Sequence, residues 1–295
     1  MKKTKTTPAL VPGNFKEASQ LAVAGNWVDI SPLTPVSKGK FQRDEAAFQS
    51  DVQQAFEVLT ETGQSAEYAG FLKTVESELE HITGLTVVSD LEFVVVFRCD
   101  NEMYSDFEKN PRYVYLPDPY ICRIYEVLKK RGNDLVFWTS AIRMILDTIK
   151  SVLPDDLAGT PAVCREDCRQ MVEIFMKRAN QEISDRAAMK ELKRVYAAFS
   201  ERAYRYGLKF FSEQKFLNEL TSERKTVYAA RNKFPVLLAD PEHGVFIDDN
   251  IDYINSAESA GWPKKRSIHV DPGYFSLRRA REVIDGLRRI VPVAK

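Results

Sequence analysis

The chain has 295 residues, and its 42 basic and 42 acidic side chains cancel to no net charge. That balance excludes a general electrostatic attraction to nucleic acid or anionic lipid, and no apolar run approaches the ~20 residues that span a bilayer. An apolar share of 44% is enough for a substantial core in one large or two ordinary domains.

Residues 1–42, rich in Pro, Thr, Lys and Gly, read as an irregular N-terminal segment. Its basic start, MKKTKTTPALVPGNF, lacks the apolar stretch of a secretory signal. Cys164 and Cys168 lie four apart, but neither Cys99 nor Cys122 completes a zinc-ligand spacing. Reduced thiols and a cytoplasmic protein are expected.

A helical extension over 43–84 follows. One amphipathic helix runs from about Asp44 to Thr62, with Phe48, Val52, Phe56 and Leu59 on one stripe. A second runs from about Ala66 to Ile82, with Phe71, Val75 and Leu79, and Gly84 stops it.

From Leu85 strands and helices alternate. FVVVF (93–97) is a short continuous apolar run, the pattern of a strand buried on both faces. RYVYL is a strand, PYICRIYEVLKKRG a helix stopped by Gly132, and DLVFW a strand. SAIRMILDTIKSVL is a helix ending before Pro154, GVFI a strand, NIDYINSAESAG a helix and RSIHV a final strand. The fold class is α/β, a Rossmann-like parallel sheet flanked by helices, with core segments 85–168 and 231–295. Residues 169–230 break the alternation and read as a helical insertion, with Leu192, Val195, Tyr196 and Phe199 stepping by three and four. The last helix carries Arg278, Arg279, Arg281, Arg288 and Arg289. Peripheral membrane contact through it is the minor reading, because Glu282 and Asp285 interleave. Docking on the core is the expectation.

In open parallel sheets, ligands gather at the carboxyl ends of the strands. Thr139 and Ser140 stand after DLVFW; Asp248, Asp249 and Asn250 stand after GVFI; Arg98, Cys99 and Asp100 stand after FVVVF. Lys233 precedes the strand that leads to Asp248. Hydroxyls, a lysine and paired carboxylates at one edge are what phosphoryl transfer uses. Carboxylates hold Mg²⁺, while lysine and hydroxyls neutralise phosphate oxygens. Taken singly, each residue has a plainer explanation. Thr139 or Ser140 can cap a helix beginning at Ala141, Asp249 or Asn250 one beginning at Ile251, and Lys233 can be a solvated loop residue.

The order of these elements resembles the haloacid dehalogenase superfamily, more narrowly the branch of phosphatases that act on the polymerase C-terminal domain. LVFWTSA matches the threonine strand, with Thr139 in the phosphate-binding place. CREDC matches an Arg-Glu-x-Cys segment through Arg165 and Cys168. Lys233 precedes Asp248 by 15 residues, as the family's lysine precedes its aspartate pair, and FIDDN followed by a helix and SAGW is also similar. YLPDPYICRIYEVLKKRG resembles the helix that precedes the threonine strand. The resemblance covers about residues 85–275 and implies an aspartyl-phosphate mechanism with Mg²⁺, acting on a phosphorylated substrate. It further implies that the insertion at 169–230 is a cap; its alternative is a helical bundle with no substrate contact.

The family's signature Asp-x-Asp-x-Thr is degenerate here, and two registers compete. In the first, preferred because FVVVF makes the better central strand, Arg98 replaces the nucleophile and Asp100 is the second acid and a metal ligand. A guanidinium cannot be phosphorylated in this way, so the protein would be a pseudo-phosphatase that binds a protein partner. In the second, LTVVS is the opening strand, Asp90 is nucleophile and metal ligand, Glu92 is the acid, and FVVVF pairs with RYVYL in a flap hairpin. In both, Thr139, Ser140, Lys233, Asp248 and Asp249 complete the site. A nucleotide-binding module is disfavoured, because neither Gly-x-Gly-x-x-Gly nor Gly-x-x-x-x-Gly-Lys-Ser/Thr occurs.

Overall fold

The structure is a computed structural model and describes residues 9–104, 112–139, 141–164, 173–174, 177, 180–195, 243–259, 262–273 and 275–291. The N-terminal part is more ordered than its composition implies. Helix α1 spans Phe15–Val23, and its first turn is capped by Asn14, whose side chain accepts the Glu17 N–H. This corrects the expectation of an irregular segment over 1–42. The buried face of α1 is Ala18, Ser19 and Ala22, too small to give a large apolar stripe. Helices α2 (Gln42–Gln64) and α3 (Ala66–Glu78) follow, with the Ser65 hydroxyl accepting the Tyr68 N–H at the start of α3. Gly63 lets α1 and α2 approach closely, since a Cβ there would lie 2.2 Å from the Val23 carbonyl oxygen.

Strand β1 (Thr86–Ser89) opens the α/β core. After it the chain makes a tight turn and forms a hairpin of β2 (Val96–Asp100) and β3 (Tyr113–Pro117), paired antiparallel. Helix α4 (Pro119–Lys130) is capped by Asp118 and stopped by Gly132 at φ +77°, a left-handed conformation that glycine adopts without strain. Next come β4 (Asp134–Trp138), α5 (Arg143–Val152), α6 (Asp155–Ala158) and the two-residue β5 (Ala162–Val163). Within the expected insertion, α7 (Asp185–Val195) is the helix described; most of 169–230 lies outside the described residues, so its role as a cap stays with the resemblance. Strand β6 (Gly244–Asp248), helix α8 (Ile251–Ser259), strand β7 (Ser267–His269) and helix α9 (Leu277–Ile290) complete the chain.

The five-stranded sheet has the order β5-β4-β1-β6-β7, and every pairing is parallel. Val87, Leu135, Phe137, Val245 and Ile247 face one apolar cluster shared with α3, α4 and α9. Val88, Val136, Trp138 and Phe246 alternate to the opposite face and are also buried. Burial on both faces explains why these strands read as continuous apolar runs. A second cluster joins α1 and α2 to the hairpin through Phe48, Val52, Phe56, Val114 and Leu116. The N-terminal extension thus packs on the hairpin. Helix α9 docks on the core through Ala280, Val283, Ile284 and Leu287, as expected.

The preferred register is overturned. FVVVF is not the central strand: β1 is LTVVS, and only Val96 and Phe97 of the run pair with β3. Phe93 sits at φ +59° and Val94 and Val95 form the turn, with the Val95 and Val96 N–H groups both donating to the Leu91 carbonyl at 2.9 Å. A continuous apolar run fits a buried turn as well as a doubly buried strand. Val94 and Val95 are buried because they lie in the cluster with α3 and α4.

Candidate active site

Strand order changes direction between β1 and β6: the chain adds strands on one side of β1 and then returns to add β6 and β7 on the other. Open α/β sheets carry a crevice at such a point, outside the carboxyl ends of the two strands. Ser89 pairs with Ile247, so the next residues along each strand, Asp90 and Asp248, stand side by side. The Asp90 N–H donates to the Ile247 carbonyl at 2.9 Å, continuing the ladder past the strand end. Carboxylate oxygens of Asp90, Asp248 and Asp249 lie within 4.8 Å of one another. Asp90 and Asp248 are buried.

Local bonds fix these side chains. Asp90 Oδ1 accepts the Leu91 N–H at 2.8 Å, and Asp248 Oδ1 accepts the Asn250 N–H at 2.9 Å. Asn250 Oδ1 takes the Asp252 N–H at 2.9 Å and so serves the first turn of α8. The Asp249 backbone carbonyl is 2.9 Å from His269 Nε2 on β7.

Three carboxylates this close repel one another, and two of them are largely removed from water. An all-oxygen donor set of this kind fits a hard divalent cation, and among the described residues it is the one such group. Asp100 does not belong to it. Asp100 ends β2, and its carboxylate accepts Arg98 Nε at 2.9 Å and the Glu102 N–H at 3.0 Å.

Glu92 lies two residues beyond Asp90 and is half-buried. Burial, then the neighbouring Asp90 charge, raise its carboxyl above the ordinary glutamate range, while Arg98 pulls it back. Arg98 does not occupy the nucleophile's place. It sits in the hairpin, with Nη1 3.4 Å from Glu92 Oε1 and Nη2 3.2 Å from Glu102 Oε1. Cys99, next along β2, is pushed up to about 12 by burial, with Asp100 and Asp51 adding to the shift, so its thiol is no nucleophile.

Thr139 follows β4, the neighbour of β1, and is buried at the same sheet edge. Its N–H donates to the Val163 carbonyl at 2.9 Å, and its Oγ1 accepts the Ala141 N–H at 3.0 Å. That hydroxyl shapes a turn and does not cap α5, which begins at Arg143 after Ile142. Ser140, Lys233, Arg165 and Cys168 lie outside the described residues.

Two partners of this region were missed from the sequence. The Tyr115 hydroxyl donates to Glu92 Oε1 at 3.4 Å, and Arg279 donates to the Phe93 carbonyl. Neither has a local motif; only the hairpin register and the docking of α9 bring them in. Among the described residues no helix is long and apolar enough to cross a membrane, and Cys99 and Cys122 are free thiols.

No family model, curated protein or solved structure matches this chain. The described architecture is an α/β core, a parallel sheet flanked by helices.

Proposed function

We propose that the chain is a divalent-cation-dependent phosphatase that hydrolyses phosphate monoesters through an aspartyl phosphate on Asp90, in the manner of the haloacid dehalogenase superfamily. The observation that carries this reading is the meeting of Asp90, Asp248 and Asp249 within 4.8 Å at the switch point of the sheet. Glu92 two residues on, and Thr139 at the end of the adjacent strand, agree with it.

Mg²⁺ held by Asp90, Asp248 and Asp249 would neutralise charge on the phosphoryl oxygens. Asp90 attacks phosphorus, and the bond to the ester oxygen breaks as the new P–O bond forms. Glu92, protonated, gives its proton to the departing oxygen. Its carboxylate then takes a proton from the water that attacks the phosphorus of the aspartyl phosphate. Asp90 is freed, inorganic phosphate leaves, and Glu92 is again protonated. Thr139, with Ser140 and Lys233 by resemblance, binds phosphoryl oxygens.

The position of Arg98 in the hairpin and of Asp90 at the end of β1 favours this reading over the alternative of a pseudo-phosphatase with Arg98 in the nucleophile's place. The test is phosphate release from phenyl phosphate by purified protein with Mg²⁺. Turnover that Asp90→Asn abolishes is expected. No turnover of any phosphate ester, or turnover indifferent to Asp90→Asn, sinks the reading.

A further inference from the structure

Among the described residues, the hairpin supplies the side chains bonded to Glu92. Arg98 and Tyr115 are directly opposed across β2 and β3. Both reach the same atom: Arg98 Nη1 and the Tyr115 hydroxyl each lie 3.4 Å from Glu92 Oε1. The guanidinium is itself fixed on its other edges, by Asp100 at 2.9 Å and Glu102 at 3.2 Å. It also lies over two aromatic rings, 5.5 Å from the centroid of Phe93 and 5.7 Å from that of Tyr113. An arginine bonded to three acidic side chains and lying near two rings is restrained in its orientation.

The backbone that carries Glu92 is constrained as well. Phe93, the next residue, has φ +59°, a costly conformation for a side-chain-bearing residue. Its N–H donates to the Val96 carbonyl at 2.7 Å, which joins the turn to the start of β2. The hairpin therefore determines both where Glu92 sits and how its carboxyl is turned.

We infer that Arg98 and Tyr115 are positioning residues for the general acid, clamping Glu92 Oε1 so that Oε2 carries the proton to the leaving oxygen. The inference rests on the proposed phosphatase reading and deepens it. When Glu92 gives up its proton, the new negative charge appears opposite the Arg98 guanidinium. It reverts to the neutral acid when Glu92 recovers a proton from the attacking water.

The requirement for an acid depends on the leaving group. An alkoxide departs poorly without a proton; a nitrophenolate departs well without one. The experiment compares glycerol phosphate with 4-nitrophenyl phosphate, both with Mg²⁺, for the full chain and for Arg98→Met, which keeps the stem under the rings and removes the charge. Tyr115→Phe, which keeps the ring, is the second variant and carries the test if Arg98→Met does not fold. Folding is checked by circular dichroism and a urea midpoint. A general acid contributes about 10²–10⁴-fold, so kcat/KM for glycerol phosphate should fall by about 10²-fold in Arg98→Met, at least ~10-fold more than for the nitrophenyl ester. Tyr115→Phe should show the same bias to a smaller degree, and Arg98→Lys should restore part of the loss. Equal losses on both esters in folded variants, or no loss, would overturn the clamp while leaving the phosphatase reading intact. An unmodified chain inactive on both esters would overturn that reading itself.

Discussion

The Arg279 guanidinium lies 2.6 Å from the Asp118 carboxylate although 161 residues separate them, and both side chains are almost wholly buried. Asp118 also caps α4, accepting the Tyr120 and Ile121 N–H groups at 2.9 and 3.1 Å. Arg279 donates further to the Asp271 and Phe93 carbonyls. One ion pair thus joins α9, the start of α4 and the left-handed turn that follows Asp90 and Glu92.

Removing one member strands the other. Arg279→Met or Asp118→Asn should each lower stability by about 3–5 kcal/mol, the usual cost of an uncompensated buried charge. The double variant should lose clearly less than the sum, because it leaves no orphaned charge. Urea denaturation measures this, and strictly additive losses would deny the coupling.

The N-terminal extension offers a steric test. A methyl group on residue 63 would meet the Val23 carbonyl oxygen, which is backbone and cannot swing aside. Gly63→Ala should destabilise by about 1–3 kcal/mol, a typical cost of overpacking. Gly70, with nothing within 4 Å of its virtual Cβ, is the control: Gly70→Ala in the exposed part of α3 should be neutral or stabilising. Equal effects at both positions would refute the close packing of α1 on α2.

The three-carboxylate group should make stability depend on Mg²⁺. Saturating Mg²⁺ should stabilise the folded chain, by about 2.7 kcal/mol at a hundredfold excess over Kd. Asp248→Asn should remove most of the gain from Mg²⁺. A thermal shift series with Mg²⁺ and chelator reads both. No shift with Mg²⁺ would argue against a cation site.

Glu92 adds a pH dependence in the metal-free protein. Burial, reinforced by the Asp90 charge, raises its carboxyl above the ordinary range. The native chain then holds that proton more tightly than the unfolded chain does. The stability this contributes is complete below the unfolded glutamate pKa of about 4.3 and is lost as pH rises through the raised value. Wild type should therefore lose stability relative to Glu92→Gln as pH rises from about 4. A gap between the two that stays constant or moves the other way would contradict the burial described.

Much of the core was legible because doubly buried strands leave apolar runs: DLVFW and GVFI fall on β4 and β6. RSIHV, at the sheet edge, falls on β7 with Ile268 buried and His269 exposed. The placement of Asp248 and Asp249 at a strand end followed from the same pattern. What the sequence left open was register. LTVVS and FVVVF are both apolar and only a few residues apart, and nothing local tells a central strand from a buried turn. The long-range pairing of Ser89 with Ile247 decides it, and with it the company of Asp90. Helix α1 was hidden for the opposite reason, because its buried face is built of alanine and serine. Arg98 was noticed but misassigned: its residue type is informative only once Glu92 is known to lie within reach.

The covalent intermediate is the most direct point of attack. Protein mixed with a phosphate monoester and Mg²⁺, quenched in acid within a turnover and digested, should yield one phosphorylated peptide, labile to base and modified on Asp90. Asp90→Asn should give none. Turnover without any acid-stable phosphopeptide, or label confined to a serine or threonine, would contradict Asp90 as the nucleophile and the site built around it.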